Sequence, residues 1–265
     1  MCRNHRFLWL AVVASFAVAL CPSVYARSAR DKLLSAKRVA YDANFQNDQQ
    51  GLRKAIKEFD SLASDHALGA FALYYAGWTR WSLAASQFQD GRKEEAIATL
   101  ERSAEDLRKA LAASPGNAEF QCALASSLIS IAALDPSRRK DLGPEIKPLR
   151  SSALKLAPDS PRVIMMDAGI IFWTPAQFGG DQEKGIARWL EAIRRFEDER
   201  IEDPILPDWG RALACGWLAN LYLGMTPPRL GDAKIAAEKA LTLRPDFWFV
   251  KTQVLPNVQT PPQPK

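Results

Sequence analysis

The chain has 265 residues, of which 48% are hydrophobic and 25% charged, with a formal net charge of +5. Those proportions are those of a folded chain, not a disordered polymer, and so small a charge gives no footing for nucleic-acid binding. The length admits one or two ordinary domains or one elongated array of repeats.

Residues 1–26 have a composition of their own. Arg3 and Arg6 precede an apolar run from Phe7 to Leu20 broken only by Ser15, and Val24-Tyr25-Ala26 offers a small-x-small exit. This is the pattern of a cleavable secretory signal peptide. The expectation is a periplasmic or secreted protein, cut after Ala26, with no stable membrane insertion afterwards. An uncleaved anchor is the competing reading, but the run falls short of the ~20 residues a spanning helix needs. Lipidation at Cys21 would meet Leu20 where a small residue is wanted. Without this leader the chain carries 33 basic and 30 acidic residues, a net +3, and keeps Cys122 and Cys215. An exported chain can oxidise them, but they fall two repeats apart, so buried free thiols are expected.

From Ser28 to Phe45, Leu33, Leu34, Ala36, Ala40 and Tyr41 keep helical spacing, and after the polar break 44–51 a second stripe runs through Leu52, Ala55, Ile56, Phe59 and Leu62. A third helix, about Ala67 to Phe88, is rich in aromatics and stops at Gln89-Asp90-Gly91; the next, from Glu94, ends at Ser114-Pro115-Gly116. Further helices are predicted over Asn117–Leu134, Glu145–Leu156, Pro161–Trp173, Gln182–Phe196, Trp209–Leu223 and Ala233–Leu243, with a turn over Asp135–Pro144. Pro161 suits a first helical turn. Beyond residue 250 the proline density predicts a solvated, extended tail through residue 265.

The chain repeats itself. Ala153-Leu-Lys-Leu-Ala-Pro-Asp159 returns as Ala240-Leu-Thr-Leu-Arg-Pro-Asp246, and closing prolines fall at 115, 158, 204 and 245. Glycines at 91, 143, 180 and 231, assigned to turns, recur with a longer period of about 88 residues, which implies a duplicated four-helix unit whose second helices alternate between long and short.

These helix pairs resemble the tetratricopeptide repeat (TPR) family, of the exported bacterial kind. Leu73, Ala76, Gly77, Ala96, Leu100 and Pro115 look like one repeat, and Leu124, Ala125, Leu128 and Pro158 like a second. Ala168, Ile171, Ile186, Ala187 and Pro204 look like a third, and Leu213, Ala214, Ala236, Ala240 and Pro245 like a fourth. The resemblance implies an all-α, right-handed superhelical solenoid of about five antiparallel helix pairs over residues 27–250. It also implies that the first helix of each pair lines a concave surface that binds a protein or peptide partner.

Little in the chain points to chemistry. His66 is the one histidine after the leader, at a predicted helix start, where it reads as a capping or surface residue. No H-E-x-x-H, G-x-S-x-G, C-x-x-C or phosphate-loop spacing occurs, so no cofactor, metal or enzymatic activity is expected. Asp181 and Asp232, after turn glycines, read as helix caps. Phe71, Tyr74, Trp78 and Trp81 fall on one stripe. If that stripe faces the groove, it is a burial surface for the partner; if it faces the next repeat, it is core. Phe172, Trp173, Trp217 and Asn220 are further groove candidates by position. The expected function is therefore an exported, non-catalytic scaffold of the cell envelope. The alternative is a periplasmic accessory of a transport system that binds a small apolar ligand in an aromatic pocket.

Overall fold

The computed structural model of the protein describes residues 28–259. The expected leader and the end of the tail lie outside them. The chain forms α1 (Ala29–Gln46), α2 (Gln49–Leu62), α3 (Gly69–Gln89), α4 (Lys93–Ala113), α5 (Ala118–Leu134), α6 (Arg139–Leu156), α7 (Pro161–Trp173), α8 (Gln182–Asp198), α9 (Arg211–Leu223), α10 (Leu230–Leu243) and a short α11 (Leu255–Gln259), with no strand among the described residues. Each odd-numbered helix up to α9 packs along the even-numbered helix that follows, giving five antiparallel pairs. Helices α1, α3, α5 and α7 also touch one another in turn, so the odd helices form the inner layer of the stack.

Local chemistry fixes the ends. Ser28, Asp48, Asn117, Ser160 and Asp181 each accept a hydrogen bond from a first-turn backbone N–H with their side-chain oxygens, which satisfies donors that have no partner inside the helix. Between the helices, small residues permit close approach. A Cβ on Gly77 would lie 2.5 Å from Cγ of Leu107 on α4, so only glycine lets α3 and α4 pack at this separation. Among the described residues both cysteines, Cys122 and Cys215, are buried and free.

Several boundaries differ from the sequence reading. The turn expected over Asp135–Pro144 shrinks to a 3-10 turn at Pro136–Arg138, and α6 runs through Gly143, Pro144 and Pro148. Each proline removes one intrahelical bond, yet burial of Leu142, Leu149 and Ala153 on this helix, which packs against α5, outweighs the loss. Gly231 likewise lies inside α10, whose N-cap is Arg229 without a side-chain bond, so Asp232 is a first-turn acid and not a cap. The outer helices, with lengths of 14, 21, 18, 17 and 14 residues, do not strictly alternate. Past Pro245 the chain becomes helical again, through a π-helical stretch Val250–Val254 into α11. Phe247, Val250 and Val254 are buried, and this apolar spacing holds the segment against α9 and α10.

The first and last pairs meet. Arg244 reaches Asp42 at 3.1 Å, Gln46 reaches Asp246 at 3.1 Å, and the rings of Phe45 and Phe247 sit edge to face at 4.9 Å. The Arg244 guanidinium also lies 4.1 Å from the Phe45 ring centroid.

Candidate functional site: an inner surface held by the chain itself

The connection from α8 to α9, residues 199–210, runs across the inner helices. It is gripped mainly by its backbone. Lys37 of α1 donates to the carbonyls of Pro204 and Leu206, both at 2.7 Å. The Tyr75 hydroxyl of α3 donates to the Ile205 carbonyl at 2.6 Å. Arg162, near the start of α7, donates to the carbonyls of Pro207 at 2.7 Å and Trp209 at 2.6 Å. Three side chains on three helices thus take five carbonyls of a six-residue stretch.

Charge reinforces the grip. Asp208 pairs with Lys37 at 2.8 Å, and Arg162 pairs with Glu199 from the same connection and with Glu119 of α5. Lys37 and Arg162 are only 4% and 3% exposed, so each charge depends on these partners. Burial pulls the Lys37 ammonium below its ordinary range, against the pull of Asp208. Burial works against the Arg162 guanidinium too, but the Glu119 and Glu199 carboxylates outweigh it and hold its pKa above the usual value.

The apolar half of the contact is aromatic. Trp209 lies 5.4 Å from Trp78 between ring centroids and donates its indole N–H to the Tyr74 hydroxyl at 2.9 Å. Tyr74 stacks on Phe120 at 5.0 Å, Trp78 meets Tyr41 edge-on at 5.1 Å, and Ile205 is buried. Gly210 ends the connection with φ +130°, and a Cβ there would lie 2.2 Å from the Phe196 ring.

The aromatic stripe of α3 is therefore packed by this connection and by α5. Tyr74 and Trp78 are buried under Trp209; Phe71 is half-buried edge-on to Phe120 at 5.5 Å, and Trp81 donates to the Ser130 hydroxyl at 2.9 Å. The candidates from later helices are not brought to the same place. Phe172 is buried, with Trp173 edge-on to it at 4.8 Å and 60% exposed. Trp217 packs on Phe249 at 4.8 Å, and Asn220 is half-buried in the last turn of α9. Lys37, Tyr75, Glu119, Arg162 and Trp209 carry the contact without having been singled out by sequence. Only the unusual length of the α8–α9 connection, with Pro204, Pro207 and Trp209 in it, signals them in advance.

Three acids line a hollow of about 530 Å³ elsewhere, Glu101, Glu105 and Asp106, together with Arg80 and Arg102. Arg80 ties Asp106 to Asp60, which it binds through both oxygens at 2.8 and 2.9 Å. Burial raises the Asp106 carboxyl to about 6, against the Arg80 charge. His66 is exposed between α2 and α3. No group of three or more His, Cys, Asp or Glu side chains suited to a metal occurs among the described residues. No described helix is long and apolar enough to cross a membrane.

No protein-family profile matches the chain, and no curated protein matches it. Solved structures do. The HusA haemophore from Porphyromonas gingivalis matches with a TM-score of 0.59 at 21% identity, over 77% of this chain and 95% of that one. TTC0263, a thermophilic TPR protein in Thermus thermophilus, matches with a TM-score of 0.58 at 17% identity, over 88% of this chain and all of that one. The fold is TPR-like.

Proposed function

We propose that the protein is an exported, non-catalytic scaffold that binds a protein or peptide partner in the cell envelope through its inner helices. The observation that carries this reading is the grip on residues 204–209: inner-layer side chains already hold a non-helical stretch of peptide chain by its carbonyls, which is what peptide recognition by a helical array requires. The test is photo-crosslinking in envelope extract. A photoreactive residue replacing Trp81 on α3 should capture a partner, and one replacing Arg102 on the outer α4 should not. Capture from Arg102 alone would overturn the reading.

A second reading is a carrier of a small apolar ligand. It draws on the likeness to a haemophore and on the exposure of Trp173 and Phe178, at 60% and 74%. Absorbance titration with a planar porphyrin tests it, with a saturable band shift in the wild type that Trp173→Ala weakens at least tenfold.

A further inference from the structure

We infer that residues 203–209 are a resident stand-in for the partner, and that the partner's docking segment is an acidic, proline-bearing peptide that turns as Asp203–Leu206 does and binds by displacing them. This deepens the scaffold reading above and rests on it.

The first argument is what the groove reads. Its contacts to the segment are mostly to carbonyl oxygens, those of Pro204, Ile205, Leu206, Pro207 and Trp209. Every polypeptide carries those acceptors, so the grip is not specific to this chain's own residues. The side chains that make it are donors: an ammonium, a guanidinium and a phenol. A backbone N–H turned toward them would find no acceptor. Proline has none to turn, and the segment places proline at 204 and 207, between and beside the gripped carbonyls.

The second argument is charge. All three acceptors of the buried Lys37 ammonium belong to the segment: two carbonyls and the Asp208 carboxylate. Arg162 keeps Glu119 and Glu199 when the segment leaves but loses two carbonyls. Vacating the groove would strand the buried Lys37 ammonium and take two acceptors from Arg162, which is strongly unfavourable. An incoming segment must therefore bring both carbonyls and carboxylates. A neutral or basic peptide cannot replace what is lost.

The third is an imperfection in the resident fit. The indole N–H of Trp78, a residue 4% exposed and in ring contact with Trp209, has no acceptor. A buried donor without a partner is rare in a finished interface, and a foreign segment with an acceptor at that point would fit better than the resident one. The resident segment has the advantage of its tether, which sets an effective concentration of roughly millimolar. A free peptide should consequently bind the wild type weakly and a loosened variant well.

The experiment is fluorescence-anisotropy titration of the purified protein with a labelled peptide copying residues 199–210. Two variants loosen the resident segment without touching the inner helices: Trp209→Ala, and the milder Asp208→Asn. Both should keep wild-type helicity by circular dichroism. The expected result is at least tenfold tighter peptide binding to either variant than to wild type. A peptide with its acids amidated to Asn and Gln, or its prolines replaced by Ala, should bind at least tenfold more weakly. Equal affinity of wild type and a helical loosened variant, or equal affinity for acidic and amidated peptides, would overturn the inference. The titration needs no natural partner. A partner crosslinked from Trp81 with no gain in peptide binding would sink this inference and leave the scaffold standing; tight acidic-peptide binding with capture only from Arg102 would do the reverse.

Discussion

The connection from α4 to α5 uses residues 114–117, while its counterpart two helix pairs later, from α8 to α9, uses residues 199–210. The helices around the two differ in the opposite sense. Helices α3, α4, α5 and α6 have 21, 21, 17 and 18 residues, and their counterparts α7, α8, α9 and α10 have 13, 17, 13 and 14. At 3.6 residues per turn, the second set is shorter by about one turn in three helices and by two in the fourth. Its long connection fills the space over the inner helices that the short one leaves alone. A repeat array can thus tolerate a change of length between helices and turn the surplus chain into a ligand for its own surface.

The largest expected effect comes from removing the cation that anchors the long connection. Arg162→Met would leave Glu119 and Glu199 facing each other without their guanidinium, and should lower stability by about 3–5 kcal/mol in urea unfolding. A loss below about 1 kcal/mol would mean that the long connection is no better held than the short one. Next come the glycines of the two connections. Gly210→Ala puts a methyl group into Phe196 at a positive φ and should cost about 2–3 kcal/mol. Gly116→Ala in the short connection meets nothing within 4 Å and should stay within about 0.5 kcal/mol. Equal effects at the two sites would erase the contrast.

A smaller effect is expected for Tyr75→Phe. It leaves the buried Ile205 carbonyl without its donor and should destabilise by about 1–2 kcal/mol, seen as a lowered thermal midpoint. The smallest concerns the meeting of the chain ends. The Arg244 guanidinium holds the Asp246 carboxyl down, to about 2. A depressed acid stabilises the fold above its unfolded value of about 4 and loses that contribution as pH falls toward 2. Acid titration should loosen the contact between α1 and residues 244–247, read by Trp248 fluorescence, and Asp246→Asn should flatten the change. An unaltered acid transition in that variant would assign it to other carboxylates.

Much of the stack is legible in the sequence because its signals are local. Apolar spacing, the cap at Asp181 and Pro161 in a first turn locate helices to within a few residues. Pro144 and Gly143 mislead because the rules for helix breakers describe isolated chains, whereas α6 is held by its packing on α5. The inner surface was legible only as an aromatic stripe. Lys37 and Arg162 look like solvated helix residues, since nothing in a sequence pattern says that a cation will be buried against carbonyls far along the chain. Pro204, read as the close of a repeat, is instead the first gripped residue of the connection.

The most direct test is amide hydrogen exchange across two connections of similar length, residues 203–210 over the inner helices and residues 174–181, which include the 3-10 turn Ala176–Phe178, on the exposed side after α7. If the inner helices hold the long connection as described, 203–210 exchanges at least tenfold more slowly than 174–181, and Lys37→Met abolishes the difference. Equal rates in the wild type would show the connection to be a free surface loop and would contradict the account.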